Sequence, residues 1–160
     1  MKSVYIETSV VSYLTARPSR DLLAAAHQQV TRDWWEGHRA RFEVFISPLV
    51  EQEARRGDPA AAQRRVEVLR GLVMLEVVEE AYDLAAALIS EGALPPAAED
   101  DATHIALAAV HGIDYLLTWN CRHIDNAEIK PIARSICAAR GYVCPEICTP
   151  EELMGEEDEG

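Results

Sequence analysis

The segment S-V-Y-I-E-T-S at residues 3–9 joins a short apolar run to an acidic and hydroxyl-bearing end. Residues 3–6 are typical of a short strand, and Glu7, Thr8 and Ser9 follow at once. An acidic side chain that ends a buried strand costs free energy unless it is paired or bound to a cation. The segment therefore predicts a buried strand that carries a polar site at its carboxyl end.

Strand-like and helix-like segments alternate along the remaining chain. Apolar runs predict three further strands and a weak fifth, at 42–47, 73–78, 115–118 and 142–147. Helical periodicity and capping residues predict helices at 22–38, 48–57, 58–70, 81–88, 98–111 and 129–140, with a capping box at 149–152. Continuous apolar strands are typical of a parallel sheet that is covered on both faces. The expected fold class is therefore α/β, a three-layer α/β/α sandwich with a central parallel sheet.

The length of 160 residues predicts one domain, which we place at residues 1–154, followed by an acidic tail at 155–160 that is expected to be disordered. The net charge of −12 excludes the broad basic surface of a sequence-indifferent nucleic-acid coat. Any nucleic acid would have to meet a local basic patch, a bound cation, or both. No apolar run reaches the ~18–20 residues of a membrane span and no signal peptide is evident, so we expect a cytoplasmic protein without membrane contact.

Further acidic and amide side chains accompany the later strands. Glu53 lies on the helix after the second strand, Asp101 lies in the first turn of the helix before the fourth, and Asn120 follows the fourth strand. Sites in such sheets form outside the carboxyl ends of the strands, so these side chains are expected to converge with Glu7. Clustered carboxylates need a cation to remain ionised together, and oxygen ligands suit Mg²⁺ or Mn²⁺.

Helix geometry selects among neighbouring acids. Glu53 shares its face of the helix with Leu49 and Val50 and should point inward, whereas Glu51 should not. By the same argument Asp101, and not Asp100, lies on the face of small and apolar residues. A carboxylate at a helix N-terminus is more often a cap or a partner of the helix dipole, and this alternative stays open for Asp101 taken alone.

These residues fall within motifs that resemble PIN-domain proteins, and specifically the VapC-like toxin ribonucleases of type II toxin–antitoxin pairs. The resemblance spans almost the whole chain, and the order and spacing of its motifs are more specific than any one of them. It rests on Y-I-E-T-S-V at 5–10, S-P-L-V-E-Q-E at 47–53, E-D-D-A-T-H-I-A-L-A at 99–108, L-L-T-W-N-C-R-H-I at 116–124 and I-C-T-P-E-E-L at 147–153.

The resemblance implies a Mg²⁺- or Mn²⁺-binding acidic pocket that cleaves single-stranded RNA and leaves a 5′-phosphate and a 3′-hydroxyl. Carried over by position, the metal ligands are Glu7, Glu53 and Asp101, and Asn120 completes the catalytic set as a residue that orients the attacking water. The hydroxyls that would support the pocket belong to Thr8, Ser9 and Thr118. The resemblance also implies an antitoxin partner that covers the pocket, and a homodimer.

Two positions depart from the family pattern, because Glu7 and Asn120 stand where aspartate is commoner. The neutral amide of Asn120 removes one charge and should weaken the binding of a second cation. Arg122 and His123 follow in the next loop and are candidates for phosphate binding. His104 is expected to be a structural residue of its helix, although contact with Asp101 is the alternative.

Two other functions remain open. The chain could be a catalytically weak or inactive member that keeps the fold as a binding or assembly module, which Asn120 and the acidic charge favour somewhat. A metal-dependent phosphatase on a similar sheet is the third reading, but the Asp-x-Asp nucleophile motif of one large phosphatase class is missing.

Overall fold

The computed structural model describes residues 1–155 and shows a five-stranded sheet in which every strand pair is parallel. The sheet has the order β3-β2-β1-β4-β5, so the first strand lies at its centre. Its strands are β1 (Lys2–Ile6), β2 (Phe42–Ile46), β3 (Val73–Met74), β4 (Tyr115–Leu117) and β5 (Glu146–Cys148). The predicted central parallel sheet is confirmed.

Helices connect the strands and form two layers. The described chain contains α1 (Thr8–Thr15), α2 (Leu22–Gly37), α3 (Pro48–Ala54), α4 (Pro59–Leu69), α5 (Glu79–Ser90), α6 (Glu99–Val110) and α7 (Ile129–Ala139). From β1 the chain moves outward to β2 and β3, and then crosses back to β4 and β5 on the other side of β1. Crossovers between parallel strands are right-handed as a rule, so the two opposite directions put α1–α4 on one face and α5–α7 on the other. The helices of each group pack together, as this division requires. The three-layer α/β/α fold is confirmed.

Capping residues explain where several helices begin. Asp21 accepts a hydrogen bond from the backbone N–H of Ala24 at the start of α2. Ser47 and Asp58 cap α3 and α4, each followed by a proline at the first helical position, where a missing N–H does no harm. The predicted capping box of Thr149 and Glu152 is present, although it opens only a short 3₁₀ helix at Pro150–Leu153.

Three elements differ from the sequence prediction. Helix α1 was not predicted, because its Thr, Ser and Val residues have low helix propensity. Strand β3 covers two residues instead of 73–78, and only the N–H of Leu75 continues the pairing, with the carbonyl of Ile46. Strand β5 begins after Pro145, which has no N–H to donate to a neighbouring strand.

The carboxyl ends of β1 and β4 meet at the centre of the sheet. Val4, Tyr5 and Ile6 of β1 are fully buried, as are Leu116 and Leu117 of β4. The N–H of Glu7 donates to the carbonyl of Leu117 at 3.0 Å, so the two strands are still paired where their polar ends begin. The direction of the chain's connections reverses between these strands, and ligands of open α/β sheets bind at such a point.

No helix within residues 1–155 has the length and apolar character needed to cross a membrane. The acidic tail assigned to 155–160 lies, apart from Gly155, outside the described residues, so the division into a domain at 1–154 and a tail stays a prediction.

Candidate active site

Glu7 lies at the carboxyl end of β1 and is only 5% exposed. It caps α1, because its Oε2 accepts the backbone N–H of Ser9 at 3.1 Å. Its Oε1 accepts two hydroxyl groups, from Ser9 at 2.5 Å and from Thr118 at 2.6 Å. Three donors therefore hold this side chain in one orientation, at the end of the central strand.

The hydroxyls of Ser9 and Thr118 are themselves oriented by the loop after β4. Ser9 Oγ accepts the backbone N–H of Trp119 at 2.8 Å, and Thr118 Oγ1 accepts that of Asn120 at 2.9 Å. Because each oxygen accepts a backbone N–H, each hydroxyl proton is free to point toward Glu7. The segment T-W-N at residues 118–120 thereby helps to orient the carboxylate of Glu7 at the end of β1.

Glu53 extends from α3 toward the same point. Its Oε1 accepts the hydroxyl of Thr8 at 2.7 Å and lies 2.5 Å from Nε2 of His104. Burial acts to raise the pKa of Glu53, but the hydrogen bond and charge of His104, together with the hydroxyl of Thr8 and the charge of Arg56, outweigh it. The net effect lowers the pKa, so Glu53 is held as a carboxylate.

His104 lies on α6 and is completely buried. Its Nδ1 is 2.6 Å from the hydroxyl of Tyr5, which is 2.7 Å from Oγ of Ser47. Burial acts to lower the pKa of His104, but the hydrogen bond to Glu53 and the charges of the surrounding carboxylates outweigh it and raise the pKa. His104 thus has a structural position, as expected, but its carboxylate partner is Glu53 and not Asp101.

Asp101 lies in the first turn of α6, and both of its carboxylate oxygens have partners. Oδ1 accepts the side-chain amide of Asn120 at 3.1 Å, and Oδ2 lies 3.1 Å from Nδ1 of His123. The amide oxygen of Asn120 accepts the backbone N–H of His123 at 3.0 Å. Asn120 therefore links Asp101 to the loop after β4, through both ends of its amide.

The side chains of Glu7, Glu53 and His104 form a group that could hold a metal ion. One ligand atom from each lies within 4.8 Å of the others, and Asp101 does not belong to this group within the described residues. Carboxylate oxygens suit Mg²⁺ and Mn²⁺, and an imidazole nitrogen is also a common ligand of transition metals. Both ring nitrogens of His104 are already engaged, by Glu53 and by Tyr5, so the carboxylate oxygens of Glu7 and Glu53 are the donors that fit a divalent cation. The sequence had singled out Glu7, Glu53 and Asp101, and the tighter group has His104 as its third member.

The choice among neighbouring acids agrees with the observed exposure. The side chain of Glu53 is 18% exposed, against 37% for Glu51, which pairs with Arg55. The side chain of Asp101 is 20% exposed, against 52% for Asp100, which faces Arg56 at 3.8 Å. Helix periodicity thus predicted correctly which acid of each run faces inward.

The remaining sequence candidates lie around this group. Thr8, Ser9 and Thr118 all donate to one of the two glutamates. His123 is half-buried against Asp101, whereas Arg122 is exposed, and its guanidinium has no ion-pair partner among the described residues. Tyr5 and Ser47 were missed, and the available signal was a tyrosine within an otherwise apolar strand, since a buried hydroxyl needs partners.

Comparison with known proteins identifies the class of protein that this fold and site define. The family model for the PIN domain matches residues 4–129, so the chain belongs to the PIN domain family. The predicted family membership is confirmed. No curated protein matches the chain by sequence.

Two solved structures have a similar fold. Mycobacterium tuberculosis VapC20, described as a toxin that cleaves the sarcin–ricin loop, aligns with a TM-score of 0.59 at 18% identity, over 88% of this chain and 97% of its own. VapBC2 of Rickettsia felis, solved bound to a DNA fragment from its promoter, aligns with a TM-score of 0.57 at 13% identity, over 91% of this chain and 97% of its own. At these identities the likeness concerns the fold.

Proposed function

We propose that this protein is a Mg²⁺- or Mn²⁺-dependent endoribonuclease that cleaves single-stranded RNA, and that it is the toxin of a toxin–antitoxin pair. The observation that carries the proposal is the convergence of Glu7, Glu53 and His104 at the carboxyl ends of the central strands of a PIN domain, with Asp101 in the first turn of the helix that carries His104. The proposed place of action is the cytoplasm.

In this proposal Glu7 and Glu53 hold the cation, and Asp101 holds it directly or through water. A bound divalent cation supplies an activated water and neutralises charge on the phosphate. The chain's own contribution is positioning, because Ser9 and Thr118 fix Glu7, and Thr8 and His104 fix Glu53. Second-sphere partners of this kind orient ligands and tune their affinity.

Asn120 and His123 act on Asp101 in the proposed site. The amide of Asn120 donates to Oδ1, which restrains the carboxylate, and its position beside Asp101 is suited to orienting the attacking water. His123 lies at Oδ2, and Arg122 next to it is exposed and is proposed to contact phosphate. The products of the proposed reaction are a 5′-phosphate and a 3′-hydroxyl.

The toxin role is supported by the fold of two VapC proteins, one of them described as a toxin and the other solved with its VapB partner. We propose for this chain an antitoxin partner that covers the pocket. We also propose that the chain forms a homodimer. A small neighbouring gene whose product copurifies with the chain would support the partner.

The decisive experiment measures cleavage of single-stranded RNA by the full chain with Mn²⁺ and with EDTA. We expect cleavage with Mn²⁺ alone, and a loss of about 100-fold or more, which corresponds to ~2.7 kcal/mol, in Asp101→Asn and Glu7→Gln. Asp100→Asn is the matched control, because it makes the same change one residue away on a side chain that faces solvent. Equal activity of Asp101→Asn and the wild type contradicts the proposed site.

A second function is favoured by one specific observation. Asn120, where an acidic residue is commoner, has both ends of its amide engaged by Asp101 and His123 and adds no charge to the pocket. This arrangement suits a PIN domain that binds or assembles without cleaving. Calorimetry with Mn²⁺ separates the two functions, because absence of Mn²⁺ binding favours the binding module.

A further inference from the structure

A basic cleft lies at the end of α1 that is distant from the acidic site. It has a volume of about 490 Å³ and lies between the C-terminal end of α1 and the first turns of α4. Its charged lining consists of Arg17, Arg64, Arg65 and Asp58. Within residues 1–155, no carboxylate lies within ion-pair distance of the three guanidinium groups, although six other lysine and arginine side chains have such a partner.

The one acidic residue that lines the cleft forms no ion pair with these arginines and offsets only one of their three charges. Asp58 is the N-cap of α4, and its Oδ2 accepts the backbone N–H of Ala61 at 3.0 Å. A carboxylate at this position is stabilised by the amino end of its own helix. The cleft therefore keeps a surplus of positive charge in a protein whose net charge is −12.

Two of the three arginines are held in place by backbone carbonyls. Arg64 Nε donates to the carbonyl of Thr15 at 3.2 Å, at the last residue of α1. Arg65 Nε donates to the carbonyl of Ala54 at 2.9 Å, at the last residue of α3. Each guanidinium has five N–H donors, so these bonds leave others available to a ligand. Arg17 is exposed on the segment that follows α1.

The cleft is connected to the acidic site by two elements. Helix α1 carries Thr8 and Ser9 at its first turn and the cleft residues Ser12 and Thr15 further on, and its eight residues span about 12 Å. Helix α3 ends one residue after Glu53, at the carbonyl that Arg65 binds. Arg56 lies between the two regions, because its guanidinium faces Asp100 at 3.8 Å, one residue before Asp101, while its backbone carbonyl accepts from Arg65.

We propose that this cleft binds a backbone phosphate of single-stranded RNA, a few nucleotides away from the bond that is cleaved. The inference rests on the proposed ribonuclease function and deepens it, because it identifies where an acidic protein meets its polyanionic substrate. Arginine is suited to this role, since its planar donors match phosphate oxygens in pairs. The cleft would place the strand along α1, with the next phosphates passing Arg56 toward Glu53 and Asp101.

The test measures binding of a fluorescein-labelled 12-nucleotide single-stranded RNA by fluorescence anisotropy, in EDTA, at a series of KCl concentrations. A contact to one phosphate of a single strand contributes a slope of about −0.7 in log K against log salt. We expect Arg17→Gln to reduce the slope by about that amount and to weaken binding roughly threefold to tenfold at low salt. Arg17→Lys keeps the charge and should retain most of the slope.

Arg70→Gln is the matched control, because Arg70 is 75% exposed just after α4 and, among the described residues, pairs only with Glu67. The double variant Arg17→Gln/Arg64→Gln should lose more slope than Arg17→Gln, with thermal unfolding showing that it is folded. Equal slopes for Arg17→Gln, Arg70→Gln and the wild type overturn the inference. Loss of a copurifying protein in Arg17→Gln with unchanged RNA binding also overturns it, and assigns the cleft to a protein partner.

The binding measurement contains no divalent cation, so its result does not depend on catalysis. If the wild type fails to cleave RNA with Mn²⁺ but the salt slope falls in Arg17→Gln, the phosphate cleft stands and the nuclease proposal fails. If the wild type cleaves RNA but the salt slope is unchanged in Arg17→Gln, the nuclease proposal stands and the phosphate cleft fails.

Discussion

Nε2 of His104 lies 2.5 Å from Oε1 of Glu53. This contact joins α6 of one helical layer to α3 of the other, past the carboxyl ends of the central strands. The histidine is fully buried, and Tyr5 holds its other ring nitrogen at 2.6 Å. The orientation of Glu53 therefore depends on a residue of the protein core. A buried imidazole whose second nitrogen is hydrogen-bonded to the core can hold a carboxylate in position without being exposed to substrate.

The first prediction concerns the pH dependence of this contact in EDTA. Removing the ring in His104→Gln should reduce the free energy of unfolding most between pH ~4.5 and ~6.5, the ordinary pKa values of glutamate and histidine. The pKa of Glu53 is lowered on folding, so its share is lost as the pH falls below that range. The pKa of His104 is raised on folding, so its share is lost as the pH rises above it.

Urea unfolding of the wild type and His104→Gln from pH 4 to pH 9 measures this difference. His111→Gln is the control, because His111 Nε2 donates to the backbone carbonyl of Glu76 and not to a carboxylate. A difference between the wild type and His104→Gln that does not change with pH would show that the contact is not an ionic pair.

The second prediction concerns the hydrogen bond between His104 and the hydroxyl of Tyr5. In Tyr5→Phe the ring remains but the hydroxyl between His104 and Ser47 is lost. The Nδ1 atom of His104 then lacks a partner, whereas Ser47 Oγ still accepts the backbone N–H of Val50, and we expect a loss of about 1–3 kcal/mol in the free energy of unfolding. Tyr82→Phe, on a tyrosine that is 59% exposed, should change stability by less than about 0.5 kcal/mol. Equal stability of Tyr5→Phe and the wild type would show that the hydroxyl does not hold the ring.

The sequence predicts best what depends on local periodicity. The inward orientation of Glu53 and Asp101, relative to Glu51 and Asp100, follows from the helical repeat and from nearby apolar residues, and the structure agrees. The parallel sheet follows in the same way from continuous apolar strands. Helix α1 escaped prediction because packing against the core outweighs the weak propensity of its residues.

The sequence predicts least well which distant side chains meet. His104 and Glu53 are 51 positions apart in the sequence. Their contact depends on how α3 and α6, which lie on opposite faces of the sheet, approach each other past the carboxyl ends of the strands. Spacing along α6 made Asp101 the natural partner of His104, since residues three apart are neighbours on a helix. The structure instead directs Asp101 to Asn120 and His123, which lie in the loop after β4.

The third prediction concerns the hydroxyl that links the two central strands. Thr118→Val keeps the shape of the side chain but removes a donor to Glu7 and an acceptor for the N–H of Asn120. We expect a loss of about 1–3 kcal/mol in the free energy of unfolding in EDTA. Thr103→Val is the matched control, because its hydroxyl donates only to the carbonyl of Glu99 in its own helix. Similar losses in both variants would deny Thr118 a special role.

The last prediction restores the acidic residue that is commoner at position 120. In Asn120→Asp the amide that donates to Asp101 at 3.1 Å becomes a second carboxylate, so two like charges face each other at hydrogen-bond distance. The variant should therefore melt at a lower temperature than the wild type in EDTA. A cation relieves the repulsion, so Mn²⁺ should raise the melting temperature more in the variant than in the wild type. Tenfold tighter binding of Mn²⁺ would add ~1.4 kcal/mol to the free energy of unfolding at saturating Mn²⁺.

Gln63→Glu adds the same charge at an exposed position of α4 and should show no larger shift with Mn²⁺ than the wild type. An unchanged response of Asn120→Asp to Mn²⁺ would mean that position 120 does not face the cation, and that the amide serves only to hold Asp101 and His123.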